Sequence, residues 1–99
     1  MEIARLENRA EEVVTLLTAM ANAKRLMVLC NLLDRELSVG ELETRVSLSQ
    51  SALSQHLAKL RALKLVSARR EGVSIYYSLA SSEVRQVLST LYGLYCARG

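Results

Sequence analysis

Apolar residues recur at steps of three and four near the start of the chain, and this spacing predicts two amphipathic helices. The first covers Ile3–Met20, and the second covers Ala23–Leu33 behind Asn22, a residue type that favours the N-cap position. The apolar face of the first helix contains Leu6, Ala10, Val13, Leu17 and Met20. The inner stripe of the second contains Leu26, Leu29, Cys30 and Leu33.

The middle of the chain predicts two short helices separated by a tight turn. Ser38 and Glu41 have the spacing of a capping box, which marks the start of a third helix. Ser47–Leu48 is the expected turn, and Ser49 is the expected cap of a fourth helix that runs to about Leu63. Two short helices joined by a brief turn are typical of a helix-turn-helix.

Residues that favour β-structure follow, and they predict a hairpin over Val66–Arg70 and Ser74–Leu79 with its turn at Glu71–Gly72. Ser82 is the expected cap of a last helix that runs to about Arg98. Its inward positions are Val84, Val87, Leu88, Leu91 and Tyr95. The predicted fold is mainly α with a small β-hairpin, a winged helix-turn-helix of about five helices plus the wing, forming one domain over residues 1–99.

Charge is distributed unevenly along the chain. The chain has a net charge of +3, yet Thr44–Arg70 contains six Lys or Arg residues and no Asp or Glu, so the remainder sums to −3. Positive charge concentrated on one unit is typical of a surface that binds phosphates. The N-terminus is acidic and polar, unlike a signal peptide, and no apolar run approaches the roughly 20 residues that span a bilayer. We therefore expect a cytoplasmic protein with no membrane partner.

The fourth helix has the surface of a DNA-reading helix. On a helical wheel Leu53, Leu57 and Leu60 define its buried side, while Ser51 and Gln55 point outward. Small polar side chains let a helix approach a major groove, where Gln pairs with adenine and Ser bonds most base edges. The alternative is that this is the solvent-exposed face of an ordinary helix, with no role in DNA binding. The candidate DNA-contacting residues are Ser49, Gln50, Ser51, Ser54, Gln55, His56, Lys59, Arg61, Arg69 and Arg70.

Three of these candidate residues, and two tyrosines of the hairpin, have alternative roles. Arg69 and Arg70 precede the hairpin turn, where they either follow the DNA backbone or keep the hairpin tip soluble. His56 lies on the flank of the fourth helix, which favours a structural or backbone-bonding role over base contact. Tyr76 and Tyr77 alternate faces, so one packs inward and the other can reach a phosphate.

The segments MANAKRLMVLCNLL, LSVGELETRVSLSQSALSQHLAKLR and VSARREGVSIYYSL together resemble the ArsR/SmtB family of bacterial winged-helix repressors. The resemblance covers nearly the whole chain, and Ala23 departs from it where many members have Pro. It implies a dimer that binds double-stranded DNA at a near-palindromic operator. Metal-sensing members carry paired Cys, or His with carboxylates, as metal ligands. This chain lacks these residues at the matching positions, so we expect no metal and no cofactor.

Cys30 and Cys96 match the cysteine pair of the sulfide- and redox-responsive branch of that family, whose members include BigR, SqrR and HlyU. The resemblance implies that a persulfide or oxidant bridges the pair and weakens DNA binding. Reasoning from the residues alone leaves another possibility open. Cys30 lies on an apolar stripe, where a buried thiol is inert, whereas Cys96 lies near a chain end and is the more exposed thiol.

The expected function is therefore a transcriptional repressor that releases DNA when its cysteine pair reacts. The alternative is a HlyU-like regulator that displaces a silencer, and a metal-responsive repressor is less favoured. A thiol-disulfide enzyme is disfavoured because the chain has no CxxC pair. The first and last helices are expected to form the dimer interface through Leu6, Val13, Leu17, Leu88, Leu91, Tyr92 and Tyr95.

Overall fold

The computed structural model describes Met1–Cys96, and this range contains six α-helices and one three-stranded antiparallel sheet. The helices are α1 (Ile3–Glu7), α2 (Ala10–Met20), α3 (Ala23–Asn31), α4 (Val39–Val46), α5 (Gln50–Ala62) and α6 (Ser82–Tyr95). The strands are β1 (Leu37–Ser38), β2 (Val66–Glu71) and β3 (Ser74–Leu79), and the sheet order is β1-β3-β2. The winged helix-turn-helix is confirmed.

The prediction of one continuous helix over Ile3–Met20 is wrong. This segment forms two helices, so the described residues contain six helices and not the expected five. Helix α1 ends before Asn8, and Arg9 leaves helical geometry (φ −116°, ψ 11°) before α2 begins. Every residue of α1 is exposed within the protomer, so no packing from this chain holds a continuous helix across the polar break. Arg9 instead pairs with Glu12 of α2, at 2.6 Å between Nη2 and Oε1.

Helices α3 and α6 differ from their predictions at their ends. Asn22 caps α3 as predicted, because its side-chain oxygen accepts from the N–H groups of Lys24 and Arg25, each at 3.0 Å. Helix α3 ends at Asn31, two residues earlier than predicted. The cap of α6 is Ser81 and not Ser82, since the Ser81 hydroxyl accepts from the N–H of Val84 at 3.1 Å. The predicted end of this helix at Arg98 lies outside the described residues.

Strand β1 was not predicted, and it pairs with β3 on the side opposite to β2. Leu37 pairs with Tyr77 and Ser38 pairs with Tyr76. The hairpin itself is one residue longer than predicted, because Glu71 pairs with Ser74 and leaves Gly72–Val73 as the turn. Gly72 has φ 62°, a left-handed conformation that glycine adopts without steric cost, as a two-residue hairpin turn requires.

The core lies between the end of α2, the helices α3, α4 and α5, the sheet and the first turns of α6. Its fully buried side chains are Val28, Leu29, Leu32, Leu42, Leu53, Leu57, Leu60 and Val84. Val28 and Leu32 were missed because α3 is rotated relative to the predicted stripe, which leaves Leu26 and Leu33 only half-buried. No polar or charged side chain is buried within Met1–Cys96. Over the same range, no single helix has the length and apolarity to cross a membrane.

Candidate nucleic-acid interface and the paired cysteines

The relative orientation of α4 and α5 is fixed at the turn between them. Ser47 ends α4 in the left-handed conformation (φ 54°), which is uncommon outside glycine and turns the chain sharply. Ser49 then begins α5, where its hydroxyl accepts from the N–H of Ala52 at 3.3 Å. Lys24 donates through Nζ to the carbonyl of Val46 at 3.1 Å. The C-terminal end of α4 is therefore held against α3. The turn that follows starts α5 at a defined position relative to both helices.

The face of α5 opposite to the core is small, polar and exposed. Leu53, Leu57 and Leu60 are at most 1% exposed, so the predicted buried side of the helix is confirmed. The side chain of Gln55 makes no hydrogen bond to another residue of Met1–Cys96, which leaves its amide available for a base edge. The other exposed candidates on this segment are Ser49, Gln50, Ser51, Ser54, Lys59 and Arg61.

His56 is half-buried on the flank of α5. Burial, and then the charges of Arg25 and Lys59, lower the pKa of its imidazole below the ordinary histidine value. The ring is therefore neutral at pH 7. It makes no hydrogen bond to a backbone group in the described part of the chain, which removes the backbone-bonding alternative and leaves partial packing as its structural contribution.

The two wing arginines point to opposite faces of the hairpin. Arg69 pairs across the strands with Tyr76, and Arg70 pairs with Ile75. Since side chains alternate along a strand, Arg70 lies on the same face of β2 as Val66. Arg69 lies on the opposite face. Both are exposed, but Arg70 makes no ion pair within Met1–Cys96.

The guanidinium of Arg69 is hydrogen-bonded to two carboxylates of the protein itself. Its guanidinium donates through Nε and Nη2 to the two carboxylate oxygens of Glu36, at 2.8 and 2.7 Å. Nη1 donates to Glu71 at 2.5 Å, and the guanidinium carbon lies 4.8 Å from the centroid of the Tyr76 ring. These carboxylates raise the pKa of Arg69, and the guanidinium lowers the pKa of Glu36. The positive charge of Arg69 is thus locally compensated.

The tyrosines divide as the alternation predicts. Tyr77 is partly buried and packs against the hydrophobic core. Tyr76 occupies the outer face of β3, beneath the Arg69 guanidinium. Of the two, Tyr76 is therefore the one whose hydroxyl is placed on the outward face of the wing.

The two cysteines come from elements that are far apart in sequence. Cys30 is half-buried on α3 and packs against the core, while Cys96 is exposed at the C-cap of α6. Burial raises the pKa of the Cys30 thiol, and the charge of Cys96 raises it further. Both are free thiols, and Arg98, a neighbour of Cys96 in sequence, lies outside the described residues.

Apolar side chains remain exposed on α1, α2 and α6. Leu6 and Leu17 are each 49% exposed, Val13 is 37% exposed, and Tyr92 and Tyr95 are 61% and 80% exposed. The inward position predicted for Tyr95 is therefore wrong for the protomer. Leu91 is half-buried.

Leu88 was predicted to lie at the dimer interface, and this prediction is wrong. The residue is 3% exposed and belongs to the protomer's own hydrophobic core, so almost none of its surface is accessible to a second subunit. No group of three or more His, Cys, Asp or Glu side chains that could hold a metal ion occurs within Met1–Cys96.

Comparison with known proteins gives consistent similarities. Residues 22–68 match the family model described as "Bacterial regulatory protein, arsR family". The chain is 52% identical over 96 residues to "Transcriptional activator HlyU" of Vibrio cholerae, covering 97% of this chain and 89% of that protein. The crystal structure of the transcriptional repressor BigR from Xylella fastidiosa has a TM-score of 0.93 and 39% identity, covering 99% of this chain and 100% of that one. The structure of reduced HlyU from Vibrio cholerae has a TM-score of 0.88 and 53% identity, covering 93% and 97%.

Proposed function

Because this chain belongs to the arsR family of bacterial regulatory proteins, in its HlyU- and BigR-like branch, it is a transcriptional regulator, and we propose that it is a dimeric DNA-binding repressor that senses reactive sulfur or oxidants through Cys30 and Cys96. The observation that carries the sensing proposal is the pair of free thiols on two different helical elements, with Cys30 half-buried on α3 and Cys96 exposed at the end of α6. The BigR structure is described as that of a transcriptional repressor, which supports the direction of control.

DNA recognition is assigned to α5 and to the wing. The exposed Ser51 and Gln55 are suited to base edges in a major groove. Ser49, Lys59 and Arg70 are suited to phosphates, through a helix N-terminus and through positive charge. In a two-fold dimer, two copies of α5 would meet successive major grooves about 34 Å apart on a near-palindromic operator.

The dimer interface is assigned to the exposed apolar side chains of α1, α2 and α6. Val13, Leu17 and Tyr92 are well exposed in the protomer, and apolar surface of this kind on several neighbouring helices is typical of a protein interface. Leu6, Leu91 and Tyr95 complete the proposed surface. Because a protomer of 99 residues buries only a modest core, association also stabilises its fold.

The sensing step is a thiol–disulfide type exchange. The exposed Cys96 thiolate attacks the sulfane sulfur of glutathione persulfide, and glutathione thiolate leaves, so that Cys96 carries a persulfide. The Cys30 thiolate then attacks the Cys96 sulfur and expels hydrosulfide, which gives a disulfide. Addition of a second sulfane sulfur before this attack gives a trisulfide with the same loss of hydrosulfide. With hydrogen peroxide, the two thiols are oxidised to a disulfide and two waters form.

The bridge reaches DNA through α6. It ties the C-terminal end of α6 to α3, and α6 also carries Tyr92 and Tyr95 of the proposed interface. A change in how α6 packs against α3 therefore alters the spacing of the two recognition helices. A coupling free energy of about 1–3 kcal/mol between the two dimer geometries is enough for a functional response.

Intact-mass spectrometry combined with a DNA mobility-shift assay tests the proposal. Reduced protein is treated with glutathione persulfide or with peroxide, and the same samples are assayed on the promoter of its own gene neighbourhood. Loss of two hydrogens, or gain of one sulfur with that loss, together with weaker DNA binding supports the switch. Unchanged DNA binding after complete bridging would reject it.

A second function is favoured by one specific similarity. The chain is 52% identical to a relative named transcriptional activator HlyU. The alternative is therefore that this protein displaces a silencer and so activates a gene, with the same cysteines inactivating it. Footprinting separates the two, because a repressor covers the RNA polymerase site whereas an anti-silencer protects a region occupied by the silencing protein.

A further inference from the structure

The wing and the segment that follows α3 are joined by the side chain of Arg69. Arg69 lies on β2, at one edge of the sheet, and Glu36 immediately precedes β1 at the other edge. The guanidinium reaches over the middle strand, above the ring of Tyr76 at 4.8 Å, to make its two bonds with Glu36. One side chain thus connects both edges of a three-stranded sheet.

The contacts use the full hydrogen-bonding geometry of the guanidinium. Glu36 accepts bonds from Nε and Nη2 in the parallel, two-pronged arrangement that arginine forms best with a carboxylate, and Glu71 accepts from Nη1. The Arg69 side chain is still 50% exposed, and Glu36 and Glu71 are 34% and 67% exposed. Solvent screens such pairs, so their energetic contribution is small, but three bonds and a ring beneath them define one position for the group.

The neighbouring arginine has none of these partners. Arg70 is exposed, points to the opposite face of the hairpin, and makes no ion pair or side-chain hydrogen bond within Met1–Cys96. Two adjacent arginines therefore differ in what they can offer a phosphate. Arg70 presents a net positive charge, whereas Arg69 would first have to leave two carboxylates.

We propose that Arg69, Glu36 and Glu71 form a brace that positions the wing, and that Arg70 is the wing residue that contacts phosphate. Arg69 is thus a positioning residue that acts through Glu36 and the β-sheet. Glu36 lies in the segment between α3, which carries Cys30, and β1, so the brace also links the wing to the helix that carries one sensing thiol. The assignment rests on the proposed DNA interface and deepens it.

The salt dependence of DNA binding tests the division between the two arginines, because its slope counts the phosphate contacts that the protein makes. The probe is a mixed-sequence duplex long enough to span two successive major grooves. We expect Arg70→Gln to reduce the magnitude of the slope by about one unit and Arg69→Gln to leave it unchanged. Glu36→Gln combined with Glu71→Gln should increase it by about one unit, and adding Arg69→Gln should cancel that increase.

Asp34→Asn is the matched control. Asp34 lies in the same segment as Glu36, is exposed, and makes no ion pair in the described part of the chain, so its substitution removes one carboxylate charge, as Glu36→Gln does, without touching the brace. Its slope should equal that of the wild type. An Arg69→Gln slope reduced as much as that of Arg70→Gln overturns the brace, and so does an unchanged slope in the double glutamine variant.

A measurement without DNA separates failure of the brace from failure of the DNA interface. In ¹⁵N spectra of the full chain, the Arg69 Nε–H should exchange slowly with water, and its cross-peak is identified by its loss in Arg69→Gln. The slow exchange should disappear in Glu36→Gln and persist in Asp34→Asn. Equal exchange rates of the Arg69 Nε–H in the wild type, in Glu36→Gln and in Asp34→Asn reject the brace. If the brace passes this measurement but neither arginine affects the salt slope, the wing interface is rejected instead.

Discussion

Cys96, at the end of α6, lies near enough to Cys30 of α3 that its charge raises the pKa of the Cys30 thiol. The two residues are separated by most of the chain, so their proximity depends on the packing of α6 against the helical core. Burial is the larger cause of the raised pKa, and a raised pKa leaves less of Cys30 as the reactive thiolate at neutral pH. The electrostatic interaction between the two thiols leads to the first two predictions.

Cys30→Ser should bind DNA like the wild type and fail to respond to persulfide, because Cys96 alone can carry a persulfide but cannot close a bridge. A mobility-shift titration before and after glutathione persulfide measures the response, and intact mass identifies the adduct. Ser is close in size to Cys, and the site is only half-buried, so the fold should survive. A full response in this variant rules out the bridge.

The reactivity of Cys30 should depend on pH and on Cys96. Since both burial and Cys96 raise the Cys30 pKa, the rate of Cys30 alkylation should reach half its maximum above the ordinary cysteine pKa. Cys96→Ser removes the smaller cause, so the midpoint should move down while remaining elevated by burial. Alkylation with iodoacetamide, followed by peptide mass spectrometry over a pH series, measures this. A midpoint unmoved by Cys96→Ser contradicts the proximity of the thiols.

Gln55→Ala should weaken binding to the operator more than binding to random DNA, by about 1–3 kcal/mol, because it removes base readout and leaves the phosphate contacts. Fluorescence anisotropy with both duplexes at one salt concentration measures the difference. Gln86→Ala is the matched control, since Gln86 is also exposed but lies on α6 and not on the recognition helix. Equal losses on both duplexes for Gln55→Ala would argue against base readout.

Leu17→Glu should convert the dimer to a monomer, because it places a charge on an apolar side chain that is 49% exposed in the protomer. Sedimentation velocity without DNA measures the association state. Val73→Glu is the control, since Val73 is 99% exposed at the wing tip, remote from the proposed interface. A Leu17→Glu protein that still sediments as a dimer places the interface elsewhere.

Leu53→Ala should lower the free energy of unfolding by about 2–5 kcal/mol, because Leu53 is fully buried and its truncation leaves a cavity. Leu63→Ala, at a position 36% exposed, should lose clearly less. Urea unfolding at one protein concentration measures both, since dimerisation would otherwise shift the apparent stability. Equal losses would mean that the buried stripe of α5 is not what anchors the recognition helix.

The elements predicted correctly are those encoded by local pattern. Ser38 and Glu41 form the capping box that their spacing predicts, with the Ser38 N–H donating to Glu41 at 2.8 Å and the Glu41 N–H donating back at 3.2 Å. The buried side of α5 follows from helical periodicity in the same way. Each of these features is decided by residues within a few positions of one another.

The features that sequence reasoning missed depend on distant residues. Strand β1 has only two residues, too few for any alternation, and it exists because Leu37 and Ser38 pair with β3 about forty positions later in the chain. The capture of Arg69 by Glu36 also joins segments far apart in sequence. Charge counting placed Arg69 among the DNA contacts because it records the number of cations in a segment and not their partners in the fold.

The purely apolar core has a consequence for how this protein can vary. No buried side chain within Met1–Cys96 ionises or demands a hydrogen-bond partner, so the packing of α3, α4 and α5 does not depend on a buried polar contact. The residues proposed to read DNA, to pair subunits and to react with sulfur all lie exposed or half-buried around it. A different stimulus or operator can therefore be accommodated by exchanging surface positions while the same apolar scaffold is retained.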